Sequence, residues 1–173
     1  MQEFLLRKYT SEDYASVRKL IYDVWQETPV KDWFAVDDFD YLDKILGDLH
    51  TCIIEAVDTA TNRQAAVFVL VFPASGPDNL GADIGLDEDE QRKVVHMDIA
   101  ATLPEFRGHG LQYRLMDYAE KMLQMTGIKY LMCTVHPENV FSKRNVEKLG
   151  YRLVKTGMKY GGLPRCIYLK KIN

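Results

Sequence analysis

Residues Val94 to Thr126, VVHMDIAATLPEFRGHGLQYRLMDYAEKMLQMT, decide how the rest of the chain is interpreted. The pattern predicts a buried strand, a turn punctuated by Gly108 and Gly110, and a long amphipathic helix. Glycine lets the backbone approach a ligand closely, and the first turn of a helix presents unpaired N–H groups at the positive end of its dipole. This combination favours an anion site, most naturally for phosphate, although an ordinary tight turn has the same pattern.

Length and composition bound the class of protein. The chain has 173 residues, which indicates a single domain over residues 1–173 with a sizeable core. Its net charge is −3 and no basic block stands out, so we expect no nucleic-acid partner. No stretch is apolar enough for a membrane span or a signal peptide, which favours the cytoplasm and no membrane partner. Three cysteines without C-x-x-C spacing favour reduced, buried thiols over disulfides, and no metal is expected.

Hydrophobic periodicity predicts the element order β-α-α-β-β-β-α-β-α-β-β, an α/β sheet with antiparallel and parallel pairs. The fourth strand, Val94–Thr102, and the fifth, Lys129–Val135, lie on either side of the glycine turn and its helix. Thr10 or Ser11 is expected to cap the first helix, and Asn139 the last.

The glycine turn does not fit a dinucleotide-binding unit. The G-x-G-x-x-G fingerprint requires a third glycine where this chain has Tyr113, and three strands in succession contradict alternating strands and helices. The whole pattern instead resembles the GNAT superfamily of acyl-CoA-dependent N-acyltransferases. The run Arg107-Gly108-His109-Gly110-Leu111-Gln112 matches the family signature R/Q-x-x-G-x-G/A except at its last position. The later Asn139…Glu147-Lys148-Leu149-Gly150-Tyr151 and the element order are also similar to that family.

The resemblance implies a fold and a cosubstrate. The fold would be a single-domain GNAT-like α/β fold with a mixed, mostly antiparallel sheet flanked by helices. Its fourth and fifth strands would splay apart around acetyl-CoA, whose pantetheine arm would pair with the fourth strand while the turn amides hold the pyrophosphate. The cofactor-binding residues implied are Ala100, Ala101, Thr102, Arg107, Gly108, His109, Gly110, Leu111, Gln112, Asn139 and Ser142.

Acetyl transfer to an amine requires a base, because amines are protonated near neutral pH. Strand alternation places four residues on one side of the sheet unless a bulge intervenes: His96, Asp98, Ala100 and Thr102. The first two fall where family members often carry a base, and an imidazole beside a carboxylate titrates in a useful range. We therefore predict His96 or Asp98 as the base, the alternative being a buried hydrogen-bonded pair without a catalytic role.

The resemblance is weakest at the group that protonates the departing thiolate. Many family members carry a tyrosine in the helix after the fifth strand, and Val146 occupies that position here. Tyr113, His136 and solvent remain as alternatives.

The resemblance implies transfer of an acetyl group from acetyl-CoA to a primary amine of a small molecule or peptide, by direct attack in a ternary complex. Trp33 and Phe34 are predicted to bind the acceptor, although loop aromatics are more often simply packed. Nearby acids suggest a cationic acceptor: Asp37, Asp38, Asp40 and Asp43. A non-catalytic acyl-CoA-binding module of the same fold and a protein-interaction role are the alternatives, and a homodimer is compatible with either.

Overall fold

The computed structural model describes residues 2–35 and 39–172, without the side chain of Phe39. Within these residues the strands are β1 (Phe4–Lys8), β2 (Thr51–Asp58), β3 (Arg63–Val71), β4 (Val94–Thr102), β5 (Tyr130–Val135), β6 (Arg152–Lys159) and β7 (Leu163–Lys171). The helices are α1 (Ala15–Glu27), α2 (Phe39–Leu46), α3 (Glu88–Gln91), α4 (Leu111–Leu123) and α5 (Val140–Lys148). Short 3₁₀ turns lie at Lys31–Trp33, Ala82–Ile84 and Pro104–Phe106.

The strands form one mixed sheet in the order β1-β2-β3-β4-β5-β7-β6. All neighbouring pairs are antiparallel except β4 and β5, which run parallel. The described pairing between these two strands covers only Val94–His96, opposite Tyr130–Met132. The mixed, mostly antiparallel sheet and the separating fourth and fifth strands predicted from the sequence are therefore confirmed.

Helices cover both faces of the sheet. On one face, buried residues of α4 such as Leu115 pack with Phe68 of β3. On the other face, α1 and α2 pack with the opposite side of the same strand, for example Ile21 and Leu42 with Val69. The central strand β3 is therefore apolar on both sides, which its continuous run of hydrophobic residues predicts.

The helix caps follow the sequence in one case and depart from it in another. The Oδ1 atom of Asn139 accepts a hydrogen bond from the backbone N–H of Ser142 at 3.1 Å, so the predicted cap of α5 is confirmed. The prediction that Thr10 or Ser11 caps α1 is wrong, because this helix begins at Ala15. The Ser11 hydroxyl instead accepts from the N–H of Asp13, within the turn that precedes the helix.

A β-bulge at Asp98 interrupts β4. Val69 of β3 lies opposite Ile99, whereas the next residue of β3 lies opposite Met97, so Asp98 is an extra residue without a partner on β3. The bulge changes which face the side chains occupy. Met97 packs in the cluster on the α4 face, whereas Ile99 packs in the cluster of α1 and α2. Regular alternation would have placed both residues on the same face.

The structure also bears on the predictions drawn from composition. The three cysteines, Cys52, Cys133 and Cys166, are buried and form no disulfide. None of the described helices has the length and apolar character that crossing a membrane requires.

Candidate functional site

The principal cavity opens where β4 and β5 separate. Its volume is about 770 Å³. The lining includes Asp98, Ala100 and Thr102 from β4 and Thr134 from β5. The glycine turn, the beginning of α4, the beginning of α5 and the segment after α1 complete the walls. The parallel strands diverge after three paired residues, so the cavity exposes a stretch of β4 backbone that β5 does not cover.

The glycine turn and the beginning of α4 form one end of the cavity. Gly108 and Gly110 have φ angles of +84° and +66°, in the left-handed region that L side chains rarely adopt. A Cβ atom added to either residue would meet no protein atom within 4 Å, so the space beside the turn is open. Gly110 caps α4 without a side-chain hydrogen bond, and the first turn of α4 has no acidic residue. The helix therefore presents free N–H groups and a positive dipole end to the cavity.

Most of the residues predicted to bind the cofactor line this cavity, and two do not. The lining residues are Ala100, Thr102, Arg107, Gly108, Gly110, Leu111, Gln112, Asn139 and Ser142. The side chain of Ala101 is buried on the α1 face of the sheet, a consequence of the bulge. The ring of His109 lies against Phe4, with 5.3 Å between the ring centroids.

Gln112, the position that departs from the family signature, joins two walls of the cavity. Its Nε2 atom donates to Ser142 Oγ at 3.3 Å, and its Oε1 atom accepts from Asn145 Nδ2 at 2.9 Å. These contacts connect the first turn of α4 to α5. Asn145 also lines the cavity and was not predicted; its helical spacing of three residues from Ser142 is the signal that would have indicated it.

Asp98 lines the cavity. It accepts a hydrogen bond from the side chain of Tyr41 on α2. Burial raises the pKa of Asp98 to about 6, and the hydrogen bond from Tyr41 acts in the opposite direction. Partial burial and the nearby Asp98 raise the pKa of Tyr41, so its phenol is protonated at neutral pH. Among the described lining residues Asp98 is the only carboxylate.

His96 lies outside the described lining of the cavity that contains Asp98. Its Nε2 atom accepts a hydrogen bond from the backbone N–H of Leu80 at 3.0 Å, which places the proton of the neutral ring on Nδ1. Burial, followed by the nearby Lys159, lowers the pKa of His96 to about 4. The prediction that it shares a side of the sheet with Ala100 and Thr102 is wrong, because the bulge at Asp98 breaks the alternation between them.

Tyr160, which the sequence analysis missed, contributes to the same region from the turn between β6 and β7. Its φ angle of +53° is unusual for a residue with a side chain. The phenolic oxygen lies 2.9 Å from Thr134 Oγ1. Partial burial and the nearby Asp98 raise the pKa of Tyr160 to about 12. No local motif indicates this role, because the contact depends on how the turn folds onto β5.

None of the residues considered for protonating the thiolate offers an exchangeable proton within the described cavity lining. Val146 is buried and lines the cavity, and it carries no exchangeable proton. Tyr113 lies outside the described lining and packs beneath the ammonium of Lys148, 4.8 Å from the ring centroid. His136 is buried outside the lining, where its Nδ1 atom accepts from the N–H of Glu138 at 3.2 Å.

Trp33 and Phe34 form part of an apolar wall of the cavity, together with Val24 and Pro29. Arg165 of β7 holds this wall in place, because its Nη2 atom donates to the carbonyl oxygen of Asp32 at 2.7 Å.

The acids near this wall contribute less than predicted from the sequence. Asp43 forms an ion pair with Arg18 on the surface rather than facing the cavity. Asp37 and Asp38 lie outside the described residues.

Comparisons with known proteins agree on the fold. A family model described as the acetyltransferase (GNAT) family matches residues 18–151. A search of curated proteins found no match. Among solved structures, the mosquito arylalkylamine N-acetyltransferase-like protein 5b superposes with a TM-score of 0.71 at 16% identity, over 98% of this chain and all of that chain.

Two further structures have the same architecture. Arabidopsis thaliana NAA60 in complex with acetyl-CoA gives a TM-score of 0.72 at 11% identity, over 99% of each chain. The ribosomal-protein-S18-alanine N-acetyltransferase from Escherichia coli gives 0.70 at 12% identity, over 99% of this chain and 95% of that one. At these identities the similarity concerns the fold.

Proposed function

Since the chain belongs to the GNAT acetyltransferase family, we propose that it transfers an acetyl group from acetyl-CoA to a primary amine. The observation that carries the proposal is the position of Asp98. The bulge of β4 places this carboxylate in the same cavity as the anion-binding turn at Gly108 and Gly110. One cavity therefore combines a site for a phosphorylated donor with a group that can accept a proton.

Backbone groups would position the cosubstrate. The pyrophosphate would bind the amides of residues 108–112, and Asn139 and Ser142 would lie on the other side of the cofactor. The pantetheine arm would run along Ala100, Ala101 and Thr102 as an added strand, pairing with the β4 edge that β5 leaves uncovered. One N–H of this edge would polarise the thioester carbonyl and stabilise the oxyanion that forms during attack.

Asp98 would accept the proton that the amine nitrogen loses as the new C–N bond forms. With a pKa of about 6, its carboxylate is ionised at neutral pH and still basic enough to take part in proton transfer. Cys133 also lines the cavity, but burial raises the pKa of its thiol to about 12, which makes it a poor nucleophile. These two observations favour direct attack by the amine over an acyl-enzyme.

The shape and charge of the lining favour an acceptor with one ammonium on an apolar group. Asp98 provides a single negative charge, whereas Trp33, Phe34, Val24 and Pro29 provide an apolar wall. A polyamine or aminoglycoside would bring further cations to a described lining that has no second carboxylate. The names of the similar structures include an arylalkylamine N-acetyltransferase-like protein and a protein alanine N-acetyltransferase, and we extend both kinds of acceptor to this chain as candidates.

The test measures release of the CoA thiol with a panel of amines at saturating acetyl-CoA. We expect phenethylamine or tryptamine to be acetylated faster than spermidine or kanamycin, with a short peptide bearing a free N-terminus as the further comparison. Asp98→Asn should abolish turnover while acetyl-CoA still binds, as measured by calorimetry. Asp89→Asn is the matched control, since that side chain is 88% exposed on α3.

The presence of Val146 favours a second candidate function, that of a module that binds acyl-CoA without transferring the acyl group. This residue is buried against the cavity and donates no proton. Saturable binding of acetyl-CoA together with no transfer to any amine of the panel would favour this function over catalysis.

A further inference from the structure

Hydroxyl groups of the cavity lining are further candidates for protonating the thiolate, and Thr134 differs from Ser142 in its partner. Thr134 lies two residues beyond Met132, the last β5 residue paired with β4, and lines the same cavity as Asp98. Ser142, another lining hydroxyl, contacts Gln112 near the anion-binding turn. Thr134 instead contacts the phenol of Tyr160, 2.9 Å away.

We propose that Thr134 donates the proton to the departing thiolate and that Tyr160 supplies the next proton to Thr134 through their hydrogen bond. This inference rests on the proposed function, because it concerns the leaving group of the same reaction. Protonation of the thiolate, which Val146 cannot perform, is thereby assigned to the hydroxyl of Thr134 on β5, with Tyr160 of the β6–β7 turn as its hydrogen-bond partner.

The surroundings of Tyr160 suit a proton source. Its pKa of about 12 keeps the phenol protonated at neutral pH. The guanidinium of Arg165 lies 5.6 Å from the centroid of the Tyr160 ring, and its charge acts to lower the pKa of the phenol. A phenolate formed transiently would therefore lie beside a buried cation. Arg165 also fixes the acceptor wall through Asp32, so the same residue serves both features.

The step conserves atoms and charge. The neutral amine attacks the thioester carbonyl carbon, a C–N bond forms, and the nitrogen passes one proton to Asp98. The C–S bond then breaks, and its electron pair leaves on sulfur. Thr134 gives its hydroxyl proton to this sulfur while Tyr160 gives its phenolic proton to Thr134. The phenolate regains the proton released to Asp98, which leaves an amide, free CoA thiol and the starting site.

The experiment compares Thr134→Val, Tyr160→Phe and the double variant with the wild type at saturating acetyl-CoA and amine. Each single variant should lower kcat by about 10²-fold, the lower end of the range for general acid catalysis. The double variant should be no slower than the slower single variant, because both changes interrupt one path. Thr134→Ser retains a hydroxyl and should retain most of the activity. An unchanged calorimetric affinity for acetyl-CoA and an unchanged melting temperature would show that each variant folds.

A change of leaving group separates proton donation from a structural role. Acetyl-seleno-CoA releases a selenolate, which is much less basic than the thiolate and leaves without protonation. With this donor we expect the kcat of Thr134→Val and of Tyr160→Phe to lie within a few-fold of the wild-type kcat. An equal loss with both donors would overturn the assignment, because it would show that the two residues position the amine instead.

The outcomes also separate this inference from the proposed function. A wild-type protein that acetylates an amine, with both variants equally active, would overturn the proton path alone. A wild-type protein that binds acetyl-CoA and acetylates no amine would overturn both.

Discussion

Replacing Asp98 with asparagine should abolish turnover and also stabilise the fold, by an amount that grows with pH. Burial raises the pKa of Asp98 from 3.8 to about 6 in the folded protein. A carboxyl with a raised folded-state pKa favours its protonated form on folding. Its ionisation therefore costs stability as pH rises through the interval from 3.8 to about 6, and the full cost is present above it. A shift of about two units corresponds to about 3 kcal/mol.

The size of the effect at each pH follows from the two pKa values. Relative to the wild type, Asp98→Asn should raise the free energy of unfolding by about 1.5 kcal/mol at pH 5 and by about 3 kcal/mol at pH 8. Asparagine changes the hydrogen bond to Tyr41 by an amount that does not depend on pH in this range, so the widening of about 1.5 kcal/mol between pH 5 and pH 8 is the diagnostic quantity.

The assay is urea unfolding followed by tryptophan fluorescence at pH 5, 6, 7 and 8, with thiol release measured on the same samples. In the wild type, kcat should rise with increasing pH, with an apparent pKa near 6. The exposed control Asp89→Asn should retain turnover and change stability little. A stability difference between Asp98→Asn and the wild type that stays constant from pH 5 to pH 8 would refute the raised pKa and the reasoning built on it.

Three further substitutions test other parts of the structure. Gly110→Ala should weaken acetyl-CoA binding at least about tenfold by calorimetry. The control Gly127→Ala lies outside the cavity lining at a similar φ of +77°. It should lower the free energy of unfolding by about 1–2 kcal/mol in a urea titration, as Gly110→Ala should, and leave acetyl-CoA binding unchanged. Glu120→Ala should cost about 3 kcal/mol of unfolding free energy without affecting acetyl-CoA affinity, since Glu120 is buried and pairs with Lys170 outside the cavity. Trp33→Ala should raise KM for an aromatic amine about tenfold in steady-state assays and leave acetyl-CoA affinity unchanged, and an unchanged KM would remove Trp33 from the acceptor site.

The sequence was sufficient for the parts of the site that local patterns determine. Glycines at positions 108 and 110 between a strand and a helix predict a turn followed by free helix amides, and the turn and a helix start without a side-chain cap are both present. Asn139 three residues before Ser142 predicts an N-cap, and the hydrogen bond between them is present. In each case the interacting groups are within a few residues of each other, so the spacing alone carries the information.

The parts that the sequence did not predict depend on residues brought together by the fold. Tyr41 and Tyr160 reach the surroundings of Asp98 from α2 and from the β6–β7 turn, and neither belongs to a motif. The prediction that His96 shares a side of the sheet with Ala100 and Thr102 was wrong for a related reason. A bulge adds one residue to β4 relative to β3, and strand alternation is valid only while the register with the neighbouring strand is kept.

Asp98 differs from a structural buried carboxylate in its partners. A structural buried carboxylate ordinarily has a cationic partner, as Glu120 has in Lys170. Within residues 2–35 and 39–172, Asp98 has no ion pair, and its carboxylate is hydrogen-bonded to the neutral phenol of Tyr41. Holding it ionised at neutral pH costs about 3 kcal/mol, a large part of the 5–15 kcal/mol that typically stabilises a domain. The ammonium of an acceptor is the cation that would remove this cost, so the same carboxylate that weakens the free protein would favour binding of the amine.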